Sequence, residues 1–219
     1  MRLVTGTLAA LDYFAPFNQS ALNTDDLDLG TGCTTLLPDQ TGTTHTHLAF
    51  AGGKDGNFFL LDRDNLGKYH TSDNSQAVQQ IFLGGAWSSP AYWNNLIFIG
   101  TKANFLRSYS LTSGLLSTSP VSQSTRSYGY PGVTPVISAN GTSNGIVWIL
   151  EKSSTTQDVF LRAYNATSLS TELYNSTQVP TRDTIGAGTR FEIPLVANGR
   201  VYVGTGGATP QLQIFGMLP

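Results

Sequence analysis

The chain has 219 residues, 40% of them apolar and 11% aromatic, so it can bury a sizeable core. Only 12% are charged, the formal net charge is -2, and no Lys/Arg cluster occurs, which argues against a nucleic-acid surface. Gly is abundant at 23 residues, a composition suited to many short strands joined by turns and unsuited to long helices. The single cysteine, Cys33, excludes an intrachain disulfide. No apolar run approaches the roughly 18 residues of a membrane span, and no apolar stretch follows Met1-Arg2-Leu3-Val4 to make a signal peptide.

In chain order, Leu3 to Phe14 reads as the last one or two strands of a unit that begins earlier. Asp25, Asp26 and Asp28 crowd a polar loop. The bland reading is solvation. The sharper one is Ca²⁺, although the Gly and distal Glu of an EF-hand loop are absent. Four units follow. Each opens on a short proline-containing strand: Thr35 to Pro38, Ser88 to Ala91, Val133 to Val136 and Glu192 to Leu195. A second strand follows at Leu48 to Gly52, Leu96 to Gly100, Ile146 to Leu150 and Val201 to Gly204. The third spans Phe58 to Asp62, Leu106 to Leu111, Phe160 to Asn165 and Leu212 to Phe215. A fourth is readable near Val78 to Phe82, Leu115 to Thr118 and Glu172 to Asn175. Asp55-Gly56, Asn94-Asn95 and Asn198-Gly199 supply hairpin turns, because these residues tolerate positive φ.

The prolines at 38, 90, 135 and 194 stand 52, 45 and 59 residues apart. About four strands per period of roughly 40–50 residues is the signature of a β-propeller blade. The expectation is an all-β chain of about four four-stranded antiparallel blades around an axis, with almost no helix. Residues 1–219 form one propeller region: a remnant of a preceding blade plus a loop over 1–32, then blades over 33–84, 85–129, 130–187 and 188–219. Such an arc would be part of a larger propeller, and its first and last blades would expose apolar side chains unless the termini pair across a closed ring.

Gly53-Lys54-Asp55-Gly56 with Leu60 to Gly67, Trp87 to Asn95, and Val196 to Thr205 resemble pyrroloquinoline-quinone (PQQ)-like repeats of the quinoprotein alcohol dehydrogenase-like superfamily. The resemblance runs from about Gly6 to Pro219. It implies an exported protein, periplasmic or extracellular, of which this would be the C-terminal part, with the remaining blades as its partners. Active members hold PQQ in the central funnel with Ca²⁺ on acidic and amide side chains and an Asp as base. Others keep the propeller without the cofactor and serve as scaffolds. Two departures bear on this chain. Cys33 has no adjacent cysteine to form the disulfide that stacks the quinone. The family's Ala-x-Asp-x-x-Thr-Gly blade motif survives only as Leu111-Thr112-Ser113-Gly114 and Tyr164-Asn165-Ala166-Thr167. The expectation is therefore a non-catalytic binding or scaffold module for a protein, small-molecule or carbohydrate ligand. The alternative is a fragment of a PQQ-dependent alcohol or sugar dehydrogenase.

Candidate site residues follow from position. Trp87 precedes an innermost strand, where a ring can floor a flat ligand. Tyr130, Arg182, Asp183 and Arg190 precede others, and Arg182-Asp183 can equally pair with each other. Trp87, Tyr130 and Arg190 are expected to gather, with Asp55, Asp64 and Asn165 on peripheral turns. His45 and His47, two apart on a strand, would share a face and could begin a metal site, for which a third ligand is needed. His70 is the only other histidine and Asp39 a candidate carboxylate. The bland reading is a polar strand end held by hydrogen bonds. Sequons stand at Asn18, Asn140, Asn165 and Asn175. No Gly-x-Ser-x-Gly elbow, P-loop or dinucleotide fingerprint occurs.

Overall fold

The computed structural model describes residues 1–216, apart from the side chain of Arg2; the last three positions of the fourth unit, 217–219, lie outside the described residues. Alternating apolar runs cut by turn residues leave few places for helix. The outcome is an all-β chain, 45% strand and 7% helix. The N-terminal segment carries a hairpin of β1 (Arg2–Leu3) and β2 (Ala10–Asp12), then β3 (Phe14–Ala15), the short helix α1 (Gln19–Thr24) and a 3-10 turn (Leu29–Gly32).

Four antiparallel sheets follow. The first is ordered β4 (Thr34–Leu36), β5 (Leu48–Gly52), β6 (Asn57–Asp62), β8 (Gln79–Phe82), while β7 (Lys68–Tyr69) leaves it to pair in parallel with β3. The second is β9 (Ala91–Trp93), β10 (Leu96–Gly100), β11 (Asn104–Thr112) and β13 (Ser122–Tyr128), with β12 (Leu115–Leu116) also on β11. The third is β14 (Val136–Asn140), β15 (Ser143–Lys152), β16 (Val159–Asn165) and β17 (Ser168–Asn175), followed by the one-turn helix α2 (Pro180–Asp183). The fourth is β18 (Leu195–Ala197), β19 (Arg200–Gly204) and β20 (Leu212–Phe215).

Two expectations about strands are corrected. The prolines lie outside the opening strands: Pro90, Pro135 and Pro194 immediately precede β9, β14 and β18, and Pro38 follows β4. A residue without an N–H cannot serve the ladder, so pairing starts beyond it. In the second unit, Leu115–Leu116 only lengthens the β11 hairpin, and the fourth strand is β13. Its Ser-Gln-Ser-Thr-Arg-Ser-Tyr sequence lacks the apolar alternation that marks a strand.

The second and third sheets bury both faces by the strand period of two. On β10, Ile97 and Ile99 join Leu48, Phe50, Phe58 and Leu60 of the first sheet, while Phe98 points the other way and meets Val147, Ile149 and Tyr164 of the third. On the third sheet, Leu150 and Leu161 turn to Val201 and Val203 of the fourth. The sheets thus form a series in which each packs on the next. The outer face of the first sheet is partly covered by the N-terminal segment through Phe14, 4.8 Å from the Phe59 ring, and Leu29. The outer face of the fourth leaves Leu195, Leu212 and Ile214 more than half exposed.

The junctions repeat. The residue two past the end of the second strand donates its N–H to the segment before an inner strand: Lys54 to Asp28, Lys102 to Gly85 and Gly206 to Ala187. Space there admits only glycine at Gly100, where a Cβ would lie 2.3 Å from Val133 Cγ2 and 2.6 Å from the Val133 carbonyl.

Candidate functional site

The segments before β9, β14 and β18 bring Trp87, Tyr130 and Arg190 together. The Trp87 and Tyr130 rings meet edge to face, 5.1 Å between centroids. The Arg190 guanidinium sits 5.5 Å from the centre of the Tyr130 ring. A fourth member escaped the sequence reading. Lys102 Nζ lies 5.6 Å from the Trp87 ring and 5.7 Å from the Tyr130 ring, within cation–π range. A signal for it exists: Lys102 stands two residues past Gly100 as Lys54 stands two past Gly52, one repeat apart. The two lysines are treated differently. Lys54 is neutralised by Asp26 and Asp28, each 2.9 Å away. Among the described residues, Lys102 and Arg190 have no carboxylate within ion-pair distance. Trp87 is half-buried, and Tyr130, Lys102 and Arg190 are exposed. The cavity beside Trp87, lined also by Lys152 and Glu192, is about 20 Å³, room for a water and little more. Chemically the cluster is a shallow, ring-floored patch with two positive charges, suited to an anionic group.

Arg182 and Asp183 lie elsewhere. They close one end of a cleft of about 870 Å³ between the third and fourth sheets, with Trp148, Tyr174, Arg200 and Phe215 among its lining. Arg182 Nε and Nη2 bond both Asp183 oxygens at 2.5 and 2.7 Å, and the Tyr174 hydroxyl donates to Asp183 Oδ2 at 2.8 Å. The Arg182 hydrogen bond holds the Asp183 carboxyl below its ordinary range despite some burial, and burial with that carboxylate pushes the Tyr174 hydroxyl up. The pair is committed to itself. Sequence reading gave no reason to link these residues to Trp148, whose indole donates to Ser138 Oγ at 2.9 Å.

His45 and His47 lie in the loop before β5 rather than on a strand. Each takes its own carboxylate: His45 Nδ1 with Asp62 Oδ2 at 2.7 Å, and His47 Nδ1 with Asp64 Oδ2 at 2.6 Å. Asp39 stands 3.8 Å from both His47 and Arg63. His70 bonds Ser75 and faces Asp73. Among the described residues no three His, Cys, Asp or Glu side chains converge to hold a metal. For a Ca²⁺-supported quinone, the donor set at the Trp87 cluster does not fit: two cations and two rings converge there, and Glu192 beside Trp87 is a lone carboxylate among the described lining, where Ca²⁺ takes six to eight oxygens.

The other concentration of ionisable groups is buried between the second and third sheets. Tyr128 donates to the Tyr164 hydroxyl at 2.5 Å, and Tyr164 donates to Glu172 Oε2 at 3.0 Å. Arg162 bridges Glu172 and Glu151 at 3.0 and 2.6 Å. Burial pushes the Tyr128 hydroxyl up to about 12 and raises Tyr164 further. Burial would lower Arg162, and its bonds to Glu151 outweigh that. This chain of groups is closed on itself and joins two sheets.

No family model matches the sequence, and no curated protein does. Among solved structures, the chain is similar to the computationally designed Ika4 protein, with a TM-score of 0.45 and 14% identity over 77% of this chain and 86% of that one. It is also similar to the computationally designed Ika8 protein, with a TM-score of 0.46 and 13% identity over 77% of this chain and 43% of that one. Likeness at that level fixes neither fold family nor function. No helix among the described residues is long and apolar enough to cross a membrane.

Proposed function

We propose that the chain is a non-catalytic, exported binding or scaffold module: four consecutive blades of a PQQ-like β-propeller. Its outer sheet faces meet the remaining blades of a longer protein. The reading rests on one observation above others, the meeting of Trp87, Tyr130 and Arg190 from the entries to three consecutive sheets. Convergence of inner-strand entries is what blades around an axis produce. Supporting it are the four consecutive antiparallel sheets and the exposed apolar residues on the last one. The ligand site is the Trp87–Tyr130–Lys102–Arg190 patch, where rings supply contact area and the cations orientation. The side chains there include no nucleophile paired with a base, which is the reason for a binding role.

The quinone-dehydrogenase alternative has the two unpaired cations and flanking rings in its favour, which would suit an anionic, planar cofactor. Titrating the full chain with PQQ and Ca²⁺ while following the thermal midpoint separates the readings. Binding without catalysis expects no Ca²⁺-dependent rise. A ligand at 100 times its Kd adds about 2.7 kcal/mol. A rise of that size that needs Ca²⁺ and disappears in Lys102→Ala and Arg190→Ala would reverse the preference.

A further inference from the structure

The segment that enters the fourth sheet is held in an uncommon conformation. Phe191 has φ +67°, a left-handed backbone that bulky side chains rarely adopt and that persists only where the surroundings over-determine it. Glu192 closes the turn by accepting the Thr189 N–H on Oε1. The conformation gains nothing from core burial, because Phe191 is 54% exposed. What the turn does is set side chains of different chemistry beside Trp87 and Tyr130. Arg190 reaches the Tyr130 ring, and Phe191 and Glu192 line the small cavity next to Trp87.

Glu192 Oε2 is buried and has no hydrogen-bond partner among the described residues. A buried carboxylate oxygen left unpaired is destabilising, so it marks a place for a donor. Lys152, on the same cavity wall, does not supply one: its Nζ is taken up by the carbonyls of Gln157 and Gly188 and by Gln157 Oε1. At about 20 Å³ the cavity holds one hydroxyl-sized group. A fitting ligand therefore carries an anion for Lys102 and Arg190 and, apart from it, a hydroxyl donor. The rings add a further condition. Trp87 and Tyr130 stand at 77°, so no flat ligand stacks on both. A puckered ring, with C–H bonds on its faces and on its rim, can touch one ring and its perpendicular neighbour at once.

We propose that the patch binds the terminal residue of an acidic saccharide, a hexuronate. Its carboxylate lies toward Lys102 and Arg190, its C–H surface meets Trp87, Tyr130 and Phe191, and one hydroxyl donates to Glu192 Oε2. The inference rests on the reading of this patch as the ligand site and names the class of ligand. A shallow site whose cations are exposed gives weak, salt-sensitive binding.

Sodium D-glucuronate titrated at millimolar concentrations into the isotope-labelled 219-residue chain should shift the Trp87 indole N–H signal saturably, with that signal assigned through Trp87→Phe. The indole signals of Trp93 and Trp148, which donate to Gly141 and Ser138, should stay in place. Glucose and acetate at the same ionic strength should each bind about tenfold more weakly or worse, and Lys102→Ala and Arg190→Ala should each weaken glucuronate by about as much. Glu192→Gln keeps an oxygen for the Thr189 N–H and removes a negative charge, so acetate should bind no worse while glucuronate loses affinity. Acetate or glucose binding as well as glucuronate overturns the acidic-sugar assignment and leaves the patch a ligand site. So does a Glu192→Gln chain that binds glucuronate more tightly; if that variant does not fold, the acetate and glucose comparisons decide. No shift at Trp87 with glucuronate also overturns the assignment, and if glucose, acetate and PQQ leave Trp87 unshifted as well, the reading of the patch as a ligand site falls with it.

Discussion

Arg162 is the residue on which the most buried charge depends. Its side chain is 7% exposed and joins Glu151 to Glu172, which in turn accepts from Tyr164 and from Asn175. Arg162→Met leaves the Glu172 carboxylate without its cation and Glu151 with only Arg126, 3.6 Å away, at partly buried side chains. The expected loss is about 3–5 kcal/mol by urea unfolding, whereas Tyr128→Phe, which leaves Tyr164 bonded to Glu172, costs about 0.5–1.5 kcal/mol. Comparable losses from the two variants would mean the network is not organised around the arginine. His47 gives a second residue-level test. The Asp64 hydrogen bond, then its charge, raise the imidazole above its ordinary 6.5. The folded chain therefore favours protonated His47. The stabilisation is full below the unfolded value and is lost as pH rises through the higher folded one. Following the His47 ring protons by NMR should give a midpoint above 6.5 that falls back in Asp64→Asn; a midpoint at or below 6.5 in the parent contradicts the pairing.

At the scale of elements, most strands were legible because their cause is local. Leu48 to Gly52, Phe58 to Asp62 and Leu96 to Gly100 are apolar runs bounded by turn residues, and they form β5, β6 and β10 closely as read. β13 was not legible, because a strand that is polar on its outer side owes its existence to the β11 edge it completes. The candidate site shows the same division. Position in the repeat brought Trp87, Tyr130 and Arg190 into view; Lys102 carries a weaker signal of the same kind, its match to Lys54 one repeat earlier, and what the repeat does not show is that the fold gives Lys54 the carboxylates of Asp26 and Asp28 and sets Lys102 beside two rings. Arg182 and Asp183 were grouped with the others by sequence position, yet α2 carries them beside Tyr174. The junction between elements can be tested at Gly100. A Cβ there meets the Val133 backbone, which cannot swing aside as a side chain can. Gly100→Ala should cost about 1–3 kcal/mol, the usual range for overpacking, where an alanine at open Gly30 should cost little. A neutral Gly100→Ala would mean the second and third sheets are held less closely than the contacts require.

Across the whole molecule, the three inter-sheet cores are unequal. The one between the first and second sheets includes Phe50, Phe58, Ile97 and Tyr109, all at most 3% exposed, and the next includes Phe98, Tyr128 and Tyr164. Between the third and fourth sheets the core rests on smaller side chains, Val159, Val201 and Val203 among them, and the 870 Å³ cleft opens beside it. Local opening follows the weakest packing. Backbone amides of β19 should exchange with deuterium well before those of β10 and β15; equal protection across all three would show a single cooperative unit. The serial packing also bears on how the chain is made. Every sheet closes against the one completed just before it, so during synthesis each newly emerged meander finds its partner already folded at its back. The nascent polypeptide can settle in instalments: the second and third sheets each cover one face at once against the sheet before, and the other face waits only until the next meander emerges.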